Sequence, residues 1–146
     1  MIPEASMSTR ISPPPKLSII IINYKTPELC IACLASLSNI NSITVEKIVI
    51  DNASNDGSVA QITQSVTQNN WSHTKMISSE NNGGFSAGNN IGISDSMGDF
   101  ILLLNSDTIV RPGAIDLLVQ TLIDNPGMGM ASPRLEWPDE QPQESC

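Results

Sequence analysis

Phe100-Ile-Leu-Leu-Leu-Asn-Ser-Asp107 begins as five large apolar residues and ends in a short acidic loop. The apolar run is too short for a membrane span and predicts a buried strand, and Leu17–Ile22, almost wholly apolar and β-branched, predicts one covered on both faces. A buried strand that empties into an acidic loop is where open α/β sheets place metal and phosphate chemistry. Thr108-Ile-Val-Arg-Pro-Gly113 leads on into a helix, which sets the loop at the mouth of a βα unit. Two earlier runs end in the same way. Leu17–Ile22 empties into Asn23-Tyr24, and Lys47–Ile50 into Asp51-Asn52.

Outward from these strand ends, helices and strands alternate. Thr26 before Pro27 and Glu28 predicts a helix start, with a cap oxygen, a fixed φ and a carboxylate on the N-terminal dipole. Leu29, Cys33 and Leu37 recur at helical spacing behind it. Val45–Ile50 predicts the second strand, and Val59, Ile62 and Val66 mark one face of a second helix. Thr74–Ile77 predicts a third strand, 86–97 a third helix, 99–104 the fourth strand and 114–125 a fourth helix stopped by Pro126-Gly127. Gly129–Ser132 is a candidate fifth strand. Short links between alternating elements predict a parallel sheet with right-handed crossovers. In the order 3-2-1-4, Asn23, Asp51 and Asp107 converge on one crevice at the switch point.

The 146 residues suffice for one domain with a buried core. Net charge is −8, and residues 17–135 hold ten acids against five bases. That balance argues against nucleic acid or an anionic bilayer as the main partner, because both need clustered Lys and Arg. It also means that a phosphate-bearing ligand would need a cation to offset repulsion. Cys30, Cys33 and Cys146 cannot build a disulfide framework, and the Pro-rich lead has no apolar signal region, so a reducing cytoplasm is the expected compartment.

Asp107 suits an oxygen-ligating cation such as Mg²⁺ or Mn²⁺, with Asn105 offering an amide oxygen or a hydrogen bond to a ribose hydroxyl. A local turn hydrogen bond explains a loop Asp equally well. Asp51 can accept the N–H of a pyrimidine base, or simply be solvated at a βα turn. Asp56-Gly57-Ser58 reads as a turn and helix cap. Gly83-Gly-Phe-Ser-Ala-Gly-Asn-Asn90 has P-loop glycine spacing, but Asn89-Asn90 stand where Lys and Ser/Thr are required. It also fails the dinucleotide pattern, which removes ATPase and dehydrogenase readings. Cys30-Ile-Ala-Cys33 reads as two core thiols. His73 has no nucleophile to serve, and Lys25 and Arg111 default to surface charge.

Four segments in order nevertheless resemble family 2 glycosyltransferases: Ser18–Tyr24, Val49–Ser58, Asn81–Gly92 and Leu102–Thr108. The flavour is similar to the rhamnosyltransferase-like branch, with Asn-x-Asp in place of Asp-x-Asp. The resemblance covers roughly 17–142. It implies a GT-A (Rossmann-like) fold, a mostly parallel sheet with helices on both faces, binding a nucleoside-diphosphate sugar. By motif position Asp51 would contact the base, Asn105 the ribose, and Asp107 a divalent cation bridging the diphosphate. Asn23 and Tyr24 would line the nucleotide pocket, with Asn89 near the sugar-phosphate side.

The same resemblance implies an inverting, metal-assisted transfer in polysaccharide biosynthesis. Its donor would be dTDP-rhamnose or a UDP-sugar and its acceptor a saccharide or lipid-linked hydroxyl, in the cytoplasm or at the inner membrane face. Such enzymes usually continue further, and the later half supplies the acceptor site and the carboxylate general base. Nothing after Arg134 matches that base. The expected organisation is therefore a disordered lead (1–16), an apparently truncated donor-binding half (17–135) and an acidic, Pro-containing tail (136–146). Activity would need residues or a partner beyond this chain. The alternatives are a non-catalytic nucleotide-sugar-binding remnant and, more distantly, a nucleotidyltransferase. The latter would want a basic Gly-rich loop where Asn23-Tyr-Lys-Thr-Pro27 stands.

Overall fold

A computed structural model of the chain describes residues 16–40 and 43–143. The predicted lead, except for Lys16, and the last three residues of the tail lie outside the described residues. Four parallel strands form one sheet: β1 (Leu17–Asn23), β2 (Val45–Asp51), β3 (Thr74–Ser78) and β4 (Phe100–Asn105), in the order β3-β2-β1-β4. The crossovers carry α1 (Pro27–Ser36), α2 (Ser58–Gln68) and α3 (Gly84–Asp95), and α4 (Ala114–Asp124) follows β4. The parallel sheet is the one that the short links predict, and its order is the 3-2-1-4 arrangement, with the switch point between β1 and β4.

β1 is buried at every position. Its side chains alternate between two layers, as the two-residue period of a strand requires. Ile19 and Ile21 join Val49, Cys30, Cys33, Leu34, Leu37, Ile62, Ile115 and Val119 in one layer. Ile20 and Ile22 join Ile48 and Ile50 under α3. α3 comes this close because glycines face the sheet. A Cβ on Gly92 would stand 2.5 Å from Ile20 Cγ2, and one on Gly88 would stand 3.0 Å from Ile22 Cδ1. A second latch closes the other end of the sheet. Ser18 donates to Glu46 Oε1 at 2.5 Å, and the Met97 N–H donates to the same oxygen at 2.7 Å.

Several expectations need correction. β4 is an edge strand covered on one face only. Leu104 is buried, while Ile101 and Leu103 are 45% and 47% exposed, because α3 packs over β1 and β2 instead. The apolar face of α1 is Pro27, Cys30, Cys33 and Leu34, and Leu29 points outward. The Thr26 side chain makes no cap hydrogen bond, although its carbonyl accepts the Cys30 N–H at 3.1 Å. α3 starts at Gly84, two residues before the predicted Ser86, where φ is +81° and glycine is favoured. Gly129–Ser132 forms no strand, and the tail instead closes an isolated antiparallel bridge between Glu136 and Pro142.

Gly92→Ala should lower unfolding stability by about 1–3 kcal/mol through overpacking against Ile20. Gly127→Ala, which meets nothing within 4 Å, should change it little. Urea unfolding midpoints compare the two, and equal losses would mean that α3 does not press on β1.

Candidate functional site

The carboxyl ends of β1, β2 and β4 lie side by side. In register, Asn23 stands opposite Asp51, and Asn105 opposite Ile22. Asp51 is only 3% exposed, so its carboxylate needs hydrogen bonds to be tolerated. Asn23 Nδ2 donates to Asp51 Oδ1 at 2.7 Å, and the Ser54 hydroxyl donates to the same oxygen at 2.6 Å. The Ser54 N–H donates to Asp51 Oδ2 at 3.0 Å. Ser54 Oγ in turn accepts the Lys25 N–H at 2.9 Å, and Asn23 O accepts the Asn52 N–H at 2.9 Å. These bonds lace the loops after β1 and β2 into one rigid corner. Ala53 and Asn55, with φ of 59° and 51°, make the tight turn that brings Ser54 back to Asp51. Further along, Asp56 accepts both the N–H and the hydroxyl of Ser58, and these bonds hold its carboxyl below the usual carboxylate range. This is the cap expected there.

On the β4 side, Asn105 and Asp107 are exposed. A turn bond from the Thr108 N–H to Asn105 O, 3.1 Å, shapes their loop. Cys33 Sγ approaches the same carbonyl at 3.6 Å, so α1 runs beneath. Burial pushes both core thiols up to about 12. After burial, Cys30 is raised by Cys33 and by the charge of Asp51, and Cys33 by the charge of Asp107. The two thiols are three residues apart, about 4.5 Å along the helix. Cys30 and Cys33, on one turn of α1, therefore feel the carboxylates of two different strand ends.

The other sequence candidates are placed as follows. Tyr24 is 44% exposed beside this corner, with Lys25 Nζ 5.3 Å from its ring centroid. Asn89 is buried on α3 and donates to Phe85 O at 3.1 Å, on the opposite face of the sheet from Asn23 and Asp51. The side-chain oxygens of Asn23, Asn52 and Asn89 are buried without a hydrogen-bond partner. Arg111 is tied to the tail, pairing with Glu136 at 2.8 Å and Glu140 at 3.6 Å. The Arg134 hydrogen bond, then the charges of Arg111 and Arg134, hold the Glu136 carboxyl below its usual range. Among the described residues, no group of three or more His, Cys, Asp or Glu could hold a metal. Sequence reasoning missed Ser54, although the spacing Asp-x-x-Ser is the signal of such a side-chain turn. It also passed over Asn52 and Asn82, whose side chains meet across the sheet edge.

Residues 18–140 match the family described as glycosyl transferase family 2. Glycosyltransferase GlyG of Streptococcus pneumoniae is 28% identical over 104 residues, which are 71% of this chain and 34% of that protein. An uncharacterized glycosyltransferase of Haemophilus influenzae is 29% identical over 112 residues, 77% of this chain and 36% of its own length. The chain thus spans about a third of the length of the curated relatives it matches. Among solved structures, Staphylococcus aureus TarS in complex with UDP-GlcNAc superposes with a TM-score of 0.64 at 23% identity, covering 75% of this chain and 31% of that one. The mannosyltransferase PcManGT of Pyrobaculum calidifontis, in complex with GDP-Man and Mn²⁺, gives 0.65 at 18% identity, covering 78% and 34%. Both likenesses show the fold, a partial GT-A fold.

The thiols of α1 provide a check on the buried core. Their folded pKa is raised, so the stability they contribute is complete below the ordinary thiol value near 9 and is lost as pH rises through about 12. Stability should therefore fall above about pH 9. At neutral pH, Cys30 and Cys33 should resist iodoacetamide in the folded chain and react once it is unfolded. Peptide mapping reads both states, and equal labelling rates would place the thiols at the surface.

Proposed function

The chain belongs to glycosyl transferase family 2, and we propose that it carries the donor-binding portion of such an enzyme. In this reading it holds a nucleoside-diphosphate sugar for transfer to an acceptor hydroxyl. The observation that carries the reading is the Asn23–Asp51–Ser54 corner at the switch point, with Asn105 and Asp107 on the neighbouring strand end. Asp51 is held by neutral donors, which leave a lone pair for the imide N–H of a pyrimidine. Asn23 and Ser54 fix the direction in which that carboxylate points. Tyr24 supplies an exposed ring beside the corner, and Asn105 a carboxamide for the ribose. The sugar-phosphate role of Asn89 comes from motif position alone, since Asn89 is buried on the α3 face of the sheet.

The donor set also fits a hard cation. Asp107 offers one exposed carboxylate, and Mg²⁺ or Mn²⁺ at such a site completes its shell with diphosphate oxygens and water. Bound there, the ion would offset the charge that develops on the leaving diphosphate as the acceptor oxygen attacks the anomeric carbon. The net charge of −8 makes that neutralisation more necessary. The ligands named in the solved neighbours, UDP-GlcNAc and GDP-Man with Mn²⁺, support a nucleotide sugar and a divalent ion here. A dTDP-rhamnose or UDP-sugar donor, a saccharide or lipid-linked acceptor, inverting chemistry and a cytoplasmic setting belong to the same proposal. No helix among the described residues is long and apolar enough to cross a membrane.

A second reading is a nucleotide-sugar-binding module without transfer. In that reading the tail is structural, with Glu136 paired to Arg111 and Arg134. Titration calorimetry with UDP and dTDP, with and without Mn²⁺, tests both readings. Metal-dependent binding is expected. Asp107→Ala should abolish it while circular dichroism stays unchanged, and undiminished metal-dependent affinity in that variant would remove Asp107 from the site.

A further inference from the structure

The loop from β3 to α3 is tied to the end of β2 at two points. At its start, the Ser79 N–H donates to Asp51 O at 2.8 Å. At its end, the Asn52 carboxamide directs Nδ2 to Asn82 Oδ1 at 2.8 Å and to Gly84 O at 3.1 Å. Asn82 Oδ1 also accepts the Gly84 N–H at 2.9 Å, so one oxygen joins the loop both to itself and to β2. Asn52 is 3% exposed and directly follows Asp51 in the chain. Its orientation is dictated by chemistry. Turned over, it would point its oxygen at two acceptors and leave both unpaired.

We propose that Asn52 is a positioning residue for nucleotide binding, clamping the 79–84 loop as a fixed wall beside Asp51. The proposal rests on the donor-site reading above. β3 lies outside β2 in the sheet, so this loop stands on the flank of Asp51 away from β1 and β4. It contains Gly83-Gly84, with Gly84 at a φ of +81°. Such a pair samples many conformations unless it is tied down. Held by Asn52, the loop is ordered before any ligand arrives. Released, its ordering would be charged against binding, which is the usual cost of a mobile site. Asn52 need not touch the ligand for this, and its bonds all run to the protein.

The two ends of the clamp make an asymmetric test, because Asn52 must donate while Asn82 only accepts. Asn82 is exposed, so its variants should leave the fold intact. The full chain carrying N52A, N82A or N82D is titrated with UDP and dTDP in the presence of Mn²⁺. The ¹H–¹⁵N heteronuclear NOE at residues 81–85 is measured alongside. N52A and N82A should bind roughly tenfold more weakly and show a loosened loop. N82D keeps the acceptor, so it should retain wild-type NOE values and bind more tightly than N82A. Wild-type affinity in N52A would overturn the proposal, as would a loop that stays ordered without Asn52. A wild-type chain that binds neither nucleotide brings down the donor-site reading, and this proposal with it. That result is distinct from binding that is indifferent to Asn52.

Discussion

The hydrogen bond from Asn23 Nδ2 to Asp51 Oδ1 joins the ends of the two central strands, and the site is built around it. A carboxylate this buried is costly unless its oxygens are satisfied. An arginine or lysine would satisfy them and cancel the charge. Here the partners are an amide, a hydroxyl and a backbone N–H, all neutral. None of its direct partners carries an opposite charge, and in the reading proposed above a ligand N–H would meet the carboxylate here. Ser54 reaches Asp51 only because Ala53 and Asn55 turn at positive φ, so local backbone strain serves the corner.

That corner sits on a sheet built with two unequal faces. On one face, α1, α2 and α4 share a layer of apolar side chains with β1 and β2. On the other, α3 presses Gly88 and Gly92 onto Ile22 and Ile20 and leaves β4 uncovered. The close approach of α3 also makes the Asn52–Asn82 contact geometrically possible. The start of the helix is brought to the end of β2 by packing two turns further along. Packing and site are therefore coupled through α3.

Much of this was legible in sequence. The parallel pairing follows from short βα links, and polar residues at Asn23, Asp51 and Asn105 mark three strand ends without reference to coordinates. What was not legible depends on pairs of residues far apart in the chain. Asn52 and Asn82 are thirty positions apart, and nothing in either neighbourhood announces the other. The five-residue apolar run of β4 reads as a buried strand, yet periodicity reports how apolar a strand is and not how many faces are covered. On α1, Leu29 fits the helical spacing as well as Cys30 does, and only the tilt against β1 turns it outward. The tail has no periodicity, so its pairing through Arg111 and Glu136 was beyond reach of pattern reading.

The thiols of α1 bear on the charge balance at these strand ends. Cys30 and Cys33 are core thiols of α1, and burial first, then the charges of Asp51 and Asp107, keeps both protonated. Neutral, polarisable thiols add no third charge to those two carboxylates. They supply no positive charge either, and their layer lowers the local dielectric, so that repulsion is poorly screened. A diphosphate arriving at these strand ends meets like charge. Arg111, the nearest base along the chain after Asp107, is committed to Glu136 and Glu140. Arg111 is thereby withdrawn from the strand end that carries Asp107, and this is the electrostatic ground for the cation proposed there.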